Sequence, residues 1–187
     1  GKLQEASWQD AFAAIGEKFK ASKGERIAAI AGDQCDAEAM IALKDLMSAL
    51  GSANVDCRQD GAKLATEPRA AYLTNSTIAG LETADAVLLV GTNLRWEAPL
   101  VNTRLRKAWF QNGLQAAAIG PDVNLTYPVD YLGAGPDTLA AVADGSNAFA
   151  DILKNAERPA IIVGMGALAR DDGAAILATA RKIADDY

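Results

Sequence analysis

Two glycine-bearing turns, each directly after an apolar run, are the places where this chain could meet a ligand. Gly91-Thr92-Asn93 follows residues 87–90, and Gly164-Met-Gly-Ala-Leu-Ala169 follows residues 159–163. The second run satisfies G-x-G-x-x-A, the pattern in which glycines let a pyrophosphate approach the backbone at a helix start. That chemistry also needs an acidic residue after a second strand about 20 residues on. Asp185 and Asp186 fall near that offset, but inside a helical pattern. The plainer reading of Gly164 and Gly166 is an eased strand exit, with Asp171 and Asp172 as anions at the next helix start. Gly91, Thr92 and Asn93 are better placed, because ligands of open α/β sheets bind beyond the carboxyl ends of the strands.

Other side-chain chemistry is sparse. The chain has no histidine, so the commonest general base and metal ligand is missing. It has two cysteines, Cys35 and Cys57, where an iron–sulfur cluster needs about four patterned thiolates. Cys35 lies near a predicted helix start, which favours a thiolate, but Asp33, Asp36 and Glu38 crowd it with negative charge. No residue is assigned as catalytic or metal-ligating. Arg95, Arg104, Arg106 and Lys107 form a basic cluster on a chain of net charge −6. It reads either as a solvated helix face or as a docking site for an acidic neighbour.

The elements that must position these residues alternate. Ser7 and Asp10 resemble a capping box, and Trp8, Phe12, Ile15 and Phe19 follow at helical spacing up to Lys23-Gly24. Residues 26–31 read as a strand. Asp33 is placed to cap the next helix, on which Ala39, Leu43, Leu46, Met47 and Leu50 share a face; Gly51 stops it. Residues 54–57 read as a short strand and 58–83 as loop with helical turns. A strand at 85–90 and a helix at 98–111 follow, with Pro99 in its first turn and Val101, Leu105, Ala108 and Trp109 inward. Residues 115–119 read as a strand and 121–135 as a long connection. Two short helices at 137–143 and 147–154 precede a strand at 159–163. A last helix at 172–185 turns Ile176, Ala180, Ile183 and Ala184 inward. This alternation predicts a doubly wound, mostly parallel sheet with helices on both faces, three layers in one domain over residues 1–187.

Half of the 187 residues are hydrophobic, enough for a sizeable core. No run approaches the roughly 20 apolar residues of a membrane span, and no signal-peptide pattern is visible. The acidic balance argues against nonspecific nucleic-acid binding. A first residue that is not methionine reads as an excised fragment or a processed product.

The words around the first turn also resemble a known family. Gly91-Thr-Asn-x-Arg-Trp-Glu-Ala-Pro-Leu-Val-Asn-x-Arg-Leu-Arg-Lys-Ala-Trp109 is similar to the large iron–sulfur (75-kDa) subunit of respiratory complex I, the NADH–quinone oxidoreductase. Ile30-Ala-Gly-Asp with Asp36-Ala-Glu, Tyr72-Leu-Thr-Asn-Ser-Thr-Ile-Ala-Gly80 and Ala167-Leu-Ala-Arg-Asp-Asp-Gly-Ala-Ala-Ile-Leu177 agree. Leu94 departs, since the resemblance implies proline there. The resemblance implies a Rossmann-like, molybdopterin-oxidoreductase-like region that has lost the pterin cofactor. In this reading the chain is scaffold, without redox centres of its own. The parent's [2Fe-2S] and [4Fe-4S] clusters lie outside it, and other peripheral-arm subunits, flavin- and iron–sulfur-bearing, are its partners. The place implied is the cytoplasmic face of a bacterial inner membrane, or the matrix side in mitochondria. A piece of an active molybdopterin enzyme such as a formate dehydrogenase, and a free-standing small-molecule-binding domain, are the alternatives.

Overall fold

The computed structural model describes residues 2–57, 60–65 and 68–187. Its contacts divide the chain into two compact units, residues 1–59 and 60–187.

In the first unit, Ser7 caps α1 (Trp8–Lys20) by accepting from the Asp10 amide, as the sequence predicts. Its apolar stripe, however, is not core. No α1 residue is buried, and Trp8, Phe12 and Ile15 are exposed. Helical spacing identifies a face but not what covers it. β1 (Ala29–Ile30) and β2 (Val55–Asp56) form a two-residue parallel pair, shorter than the runs around them. α2 (Ala37–Ala49) is capped by Asp36, whose carboxylate accepts from the Ala39 amide, and not by Asp33. Met47 is buried and Met40, Leu43 and Leu50 half-buried, whereas Ala39 and Leu46 are exposed, so the inward face is rotated from the expected one. Ser52 fixes the return of the chain: its buried hydroxyl donates to the Ile27 carbonyl at 2.6 Å.

The second unit holds a four-stranded sheet, β3 (Ala86–Val90), β4 (Gln115–Ile119), β5 (Asp130–Gly133) and β6 (Pro159–Val163). Their order is β5-β4-β3-β6, and every neighbouring pair is parallel. All five β3 residues are buried, as an apolar run with both faces covered must be. Ala86, Leu88 and Val90 join Ala117 and Ile119 in one core cluster with Leu139, Phe149, Leu153, Ile176 and Ile183. Those side chains come from α5 (Pro136–Ala143), α6 (Ala148–Asn155) and α8 (Gly173–Asp186). Val87 and Leu89 join Ala116 and Ala118 in a second cluster with Leu105 and Ala108 of α4 (Pro99–Asn112). The strict alternation of β3 residues between the two clusters is the period of two of a strand.

β5 lies inside the expected long connection. It is an edge strand whose first two residues are exposed, so it carries no apolar run to announce it. Gly133, not Leu132, pairs with Ile119 across an irregularity in register. Ala184 of α8 is exposed, with Leu177 buried instead. The loop reading of 58–83 falls partly on residues 58, 59, 66 and 67, outside the described residues. Elsewhere in it, single 3-10 turns occupy 69–71 and 80–83.

Candidate functional site

The chain leaves β3 toward β4 and β5 on one side, then returns to place β6 on the other. The exits of β3 and β6 therefore form the topological switch point of the sheet, the usual ligand crevice of such folds. The two glycine turns found in the sequence are those two exits, and the structure brings them into contact.

Three backbone bonds tie the strand exits in a row. Gly164 N–H donates to Val90 O at 2.8 Å, Gly91 N–H to Ile119 O at 2.8 Å, and Gly120 N–H to Gly133 O at 2.9 Å. The closeness requires glycine. A Cβ on Gly164 would stand 2.2 Å from Gly91 O and 2.8 Å from Thr92 Cβ. Gly91 has φ +60°, and its Cβ would meet that of Ala167 at 2.6 Å. Gly166 is different, since a Cβ there meets nothing nearer than 3.9 Å. So the first glycine of G-x-G-x-x-A serves loop-on-loop packing. A one-turn helix, α7 (Met165–Leu168), opens inside the motif, and the long helix α8 starts at Gly173 directly after Asp172, as expected. Asp172 sits at the N-cap position of α8 without a side-chain capping bond. Its carboxylate instead takes both arms of Arg170, at 2.7 and 2.9 Å, and that pairing holds it below the usual carboxylate range.

A cleft of about 260 Å³ opens over these exits, lined by Gly91, Gly120, Gly135, Gly166, Leu139 and Arg170 among others. A second cavity, about 310 Å³, lies at the amino edge of β3 and β4, beside Asp85, Gln115, Asp151 and Asn155. Although larger, it is at the wrong end of the strands for a switch-point ligand. Asp85 there is structural: its carboxylate accepts the amides of Glu157 at 2.7 Å and Arg158 at 2.9 Å. Desolvation works to raise its pKa, but the backbone bonds overcome that and hold it below the usual range.

The Gly91–Asn93 turn is already engaged. Thr92, buried, donates its hydroxyl to Glu97 Oε2 at 2.8 Å, and Asn93 N–H donates to Glu97 Oε1 at 2.9 Å. Glu97 is on α3 (Leu94–Glu97), the turn of helix that the buried Leu94 opens. A side chain of this chain thus occupies two donors of the turn. Asn93 Oδ1, buried and without a hydrogen-bond partner, is an acceptor and offers an anion nothing. Among the described residues no cluster of His, Cys, Asp or Glu could hold a metal ion. Cys35 and Cys57 are free, exposed thiols in the first unit.

The basic cluster divides. Arg104 and Lys107 both pair with Glu82, Lys107 at 2.6 Å, and Lys107 first, then Arg104, pulls the Glu82 carboxyl below its usual range. Asn112 adds a bond to the Glu82 carbonyl at 2.8 Å. These residues tie α4 to the turn at 80–83. Arg106 is exposed, and among the described residues Arg95 reaches the Asn124 carbonyl, at 3.5 Å. Residues two apart on a helix do not share a face, so Arg104 and Arg106 never formed one patch. Glu82 and Glu97 were both missed by sequence reasoning. Glu97 lies four residues after Asn93 and was within reach of it; Glu82 lies 22 residues before Arg104, with no local signal.

The sequence model described as molybdopterin oxidoreductase matches residues 1–187. The chain belongs to the molybdopterin oxidoreductase family. Within that family it is similar to the mitochondrial NADH dehydrogenase [ubiquinone] iron-sulfur protein 1 of Solanum tuberosum, 42% identical over 98% of this chain. It is similar also to an NADH-quinone oxidoreductase subunit of Rickettsia felis and to the subunit of the same name of Rickettsia conorii, 46% and 44% identical over the whole chain. The chain spans only 25 to 28% of the length of these relatives. Glu97 takes two donors of the switch-point turn, the Thr92 hydroxyl and the Asn93 amide, while the adjoining cleft is lined by Gly91, Gly120, Gly166 and Arg170 among others.

Proposed function

We propose that this chain is a structural segment of the large iron–sulfur subunit of an NADH–quinone oxidoreductase, without a redox centre of its own. The observation that carries the reading is the identity of 42 to 46% along the whole chain with subunits of that enzyme. The closure of the Gly91–Asn93 turn by Glu97 supports it, as does the use of Gly164 for packing. The weak candidates Gly91, Thr92, Asn93, Gly164 and Gly166 are then architecture. The [2Fe-2S] and [4Fe-4S] clusters of the parent lie outside this region. The segment supports the cluster-bearing part and meets the flavin-bearing and iron–sulfur subunits of the peripheral arm. Its location is then the cytoplasmic face of a bacterial inner membrane or the mitochondrial equivalent. Among the described residues no helix is long and apolar enough to cross a membrane. The family match along both units supports reading them as one domain of three-layer, doubly wound, Rossmann-like form.

The family match and the cleft also support a second reading, a piece of an active molybdopterin enzyme such as a formate dehydrogenase. One purification separates the two. The full-length protein, tagged and drawn from solubilised membranes, carries NADH–quinone oxidoreductase activity and flavin under the first reading. Formate oxidation in place of NADH oxidation would overturn it.

A further inference from the structure

The outer face of α4 is unusual for a solvated helix. Leu100, Thr103, Arg106 and Phe110 recur at three, three and four residues and so lie along one face. Leu100 is 71% exposed and Phe110 81%, and Trp96, on the neighbouring α3, is 81% exposed. Single exposed apolar residues are ordinary; an exposed Leu and Phe on one helix face with an Arg, and an exposed Trp on the preceding element, are residue types enriched at interface centres. The Glu82 pairing sharpens this. It engages Arg104 and Lys107, its one negative charge offsetting one of their two positive charges, while Arg106 and Arg95 make no ion pair among the described residues.

We infer that the outer face of α4, with Trp96 and Arg95, is a docking surface for another polypeptide that presents an apolar recess rimmed by carboxylates. The inference rests on the reading of this chain as part of a multi-subunit complex. Charge selects the occupant. α4 carries no acidic residue, so a second copy meeting the same face would set Arg106 against like charge. An anionic membrane would need several free cations on the helix and would repel a chain of net charge −6. An acidic-rimmed protein recess satisfies both the arginines and the three large apolar side chains.

The test uses the full-length protein in its assembled complex, with the photo-crosslinker p-benzoylphenylalanine at position 110. NADH–quinone activity is assayed in the same preparation, and the crosslinked peptides are sequenced. The expected result is one crosslinked segment of another subunit with Asp or Glu beside apolar residues. Arg106→Glu should cut the yield about tenfold without changing the melting temperature. Reversing the charge of the partner's carboxylate should restore it. Trp96→Ala should lower the yield independently. Crosslinks to a second copy, to residues of the same subunit or to lipid would overturn the inference, as would no crosslink in a preparation that retains NADH–quinone activity. A labelled protein that does not co-purify with that activity would instead sink the assignment to the complex, and the docking inference with it.

Discussion

Glu97 closes the Gly91–Asn93 turn from within the chain. Its carboxylate stands in for an anion at the strand exit, bonded to Thr92 and to the Asn93 amide. Glu97→Ala leaves a buried hydroxyl and an amide unpaired, at a cost of about 1–3 kcal/mol. In a chain of this size each kcal/mol lowers Tm by about 2–4 °C. If the vacated donors can take an anion, millimolar phosphate should recover part of the lost Tm in Glu97→Ala and none in the parent. Differential scanning calorimetry with chloride and phosphate at matched ionic strength checks this. No phosphate effect would mean that Glu97 is merely a helix contact. The two glycines of the G-x-G-x-x-A run make a second residue-level pair. Gly164→Ala drives a Cβ into the Gly91 carbonyl and should cost about 3 kcal/mol, because backbone meets backbone and neither gives. Gly166→Ala, with room for its methyl in a helical turn, should change stability by less than about 1 kcal/mol. Equal effects in chemical denaturation would contradict the packing account of this motif.

At the scale of elements, the second unit was legible where burial is two-sided. β3, β4 and β6 are apolar runs, and Gly113, with φ +72°, ends α4 where Asn112-Gly113 announces a stop. What the sequence could not reveal was set by partners distant in the chain. β5 is an exposed edge recognised only by its pairing with β4. The stripe on α1 has helical period yet no cover within its unit. The grouping of four cations treated neighbours in sequence as neighbours in space, and Glu82 separates them. Two carboxylates bind elements together and titrate below their ordinary values of 4.5 for Glu82 and 3.8 for Asp85. A depressed folded pKa adds stability that is present above the unfolded value and is lost as pH falls through the folded one. Tm should therefore decline as pH drops below about 4.5, and Asp85→Asn and Glu82→Gln should each flatten that acid limb. At neutral pH, Asp85→Ala, which frees two partly exposed amides, should cost about 1 kcal/mol, or about 2–4 °C. Arg104→Glu should lower Tm by setting a carboxylate against Glu82, while Arg106→Glu should leave it unchanged. An identical response from both arginines would mean that the Glu82 pairing does not tie α4 to the fold.

For the whole molecule, the family match runs along the chain, and the turn after β3 is closed from within by Glu97. The sheet has a switch point, two glycine exits and a cleft, and two donors of the first turn serve Glu97. On the proposed reading of this chain as a structural segment, that shape serves packing and docking. The most direct test is the molybdenum and pterin content of the intact complex, per flavin, in a preparation where peptides from residues 1–187 are identified. Molybdenum is read by elemental analysis and pterin by fluorescence after acid oxidation. The account predicts flavin and iron with no stoichiometric molybdenum or pterin; one pterin and one molybdenum per copy of this chain would contradict it.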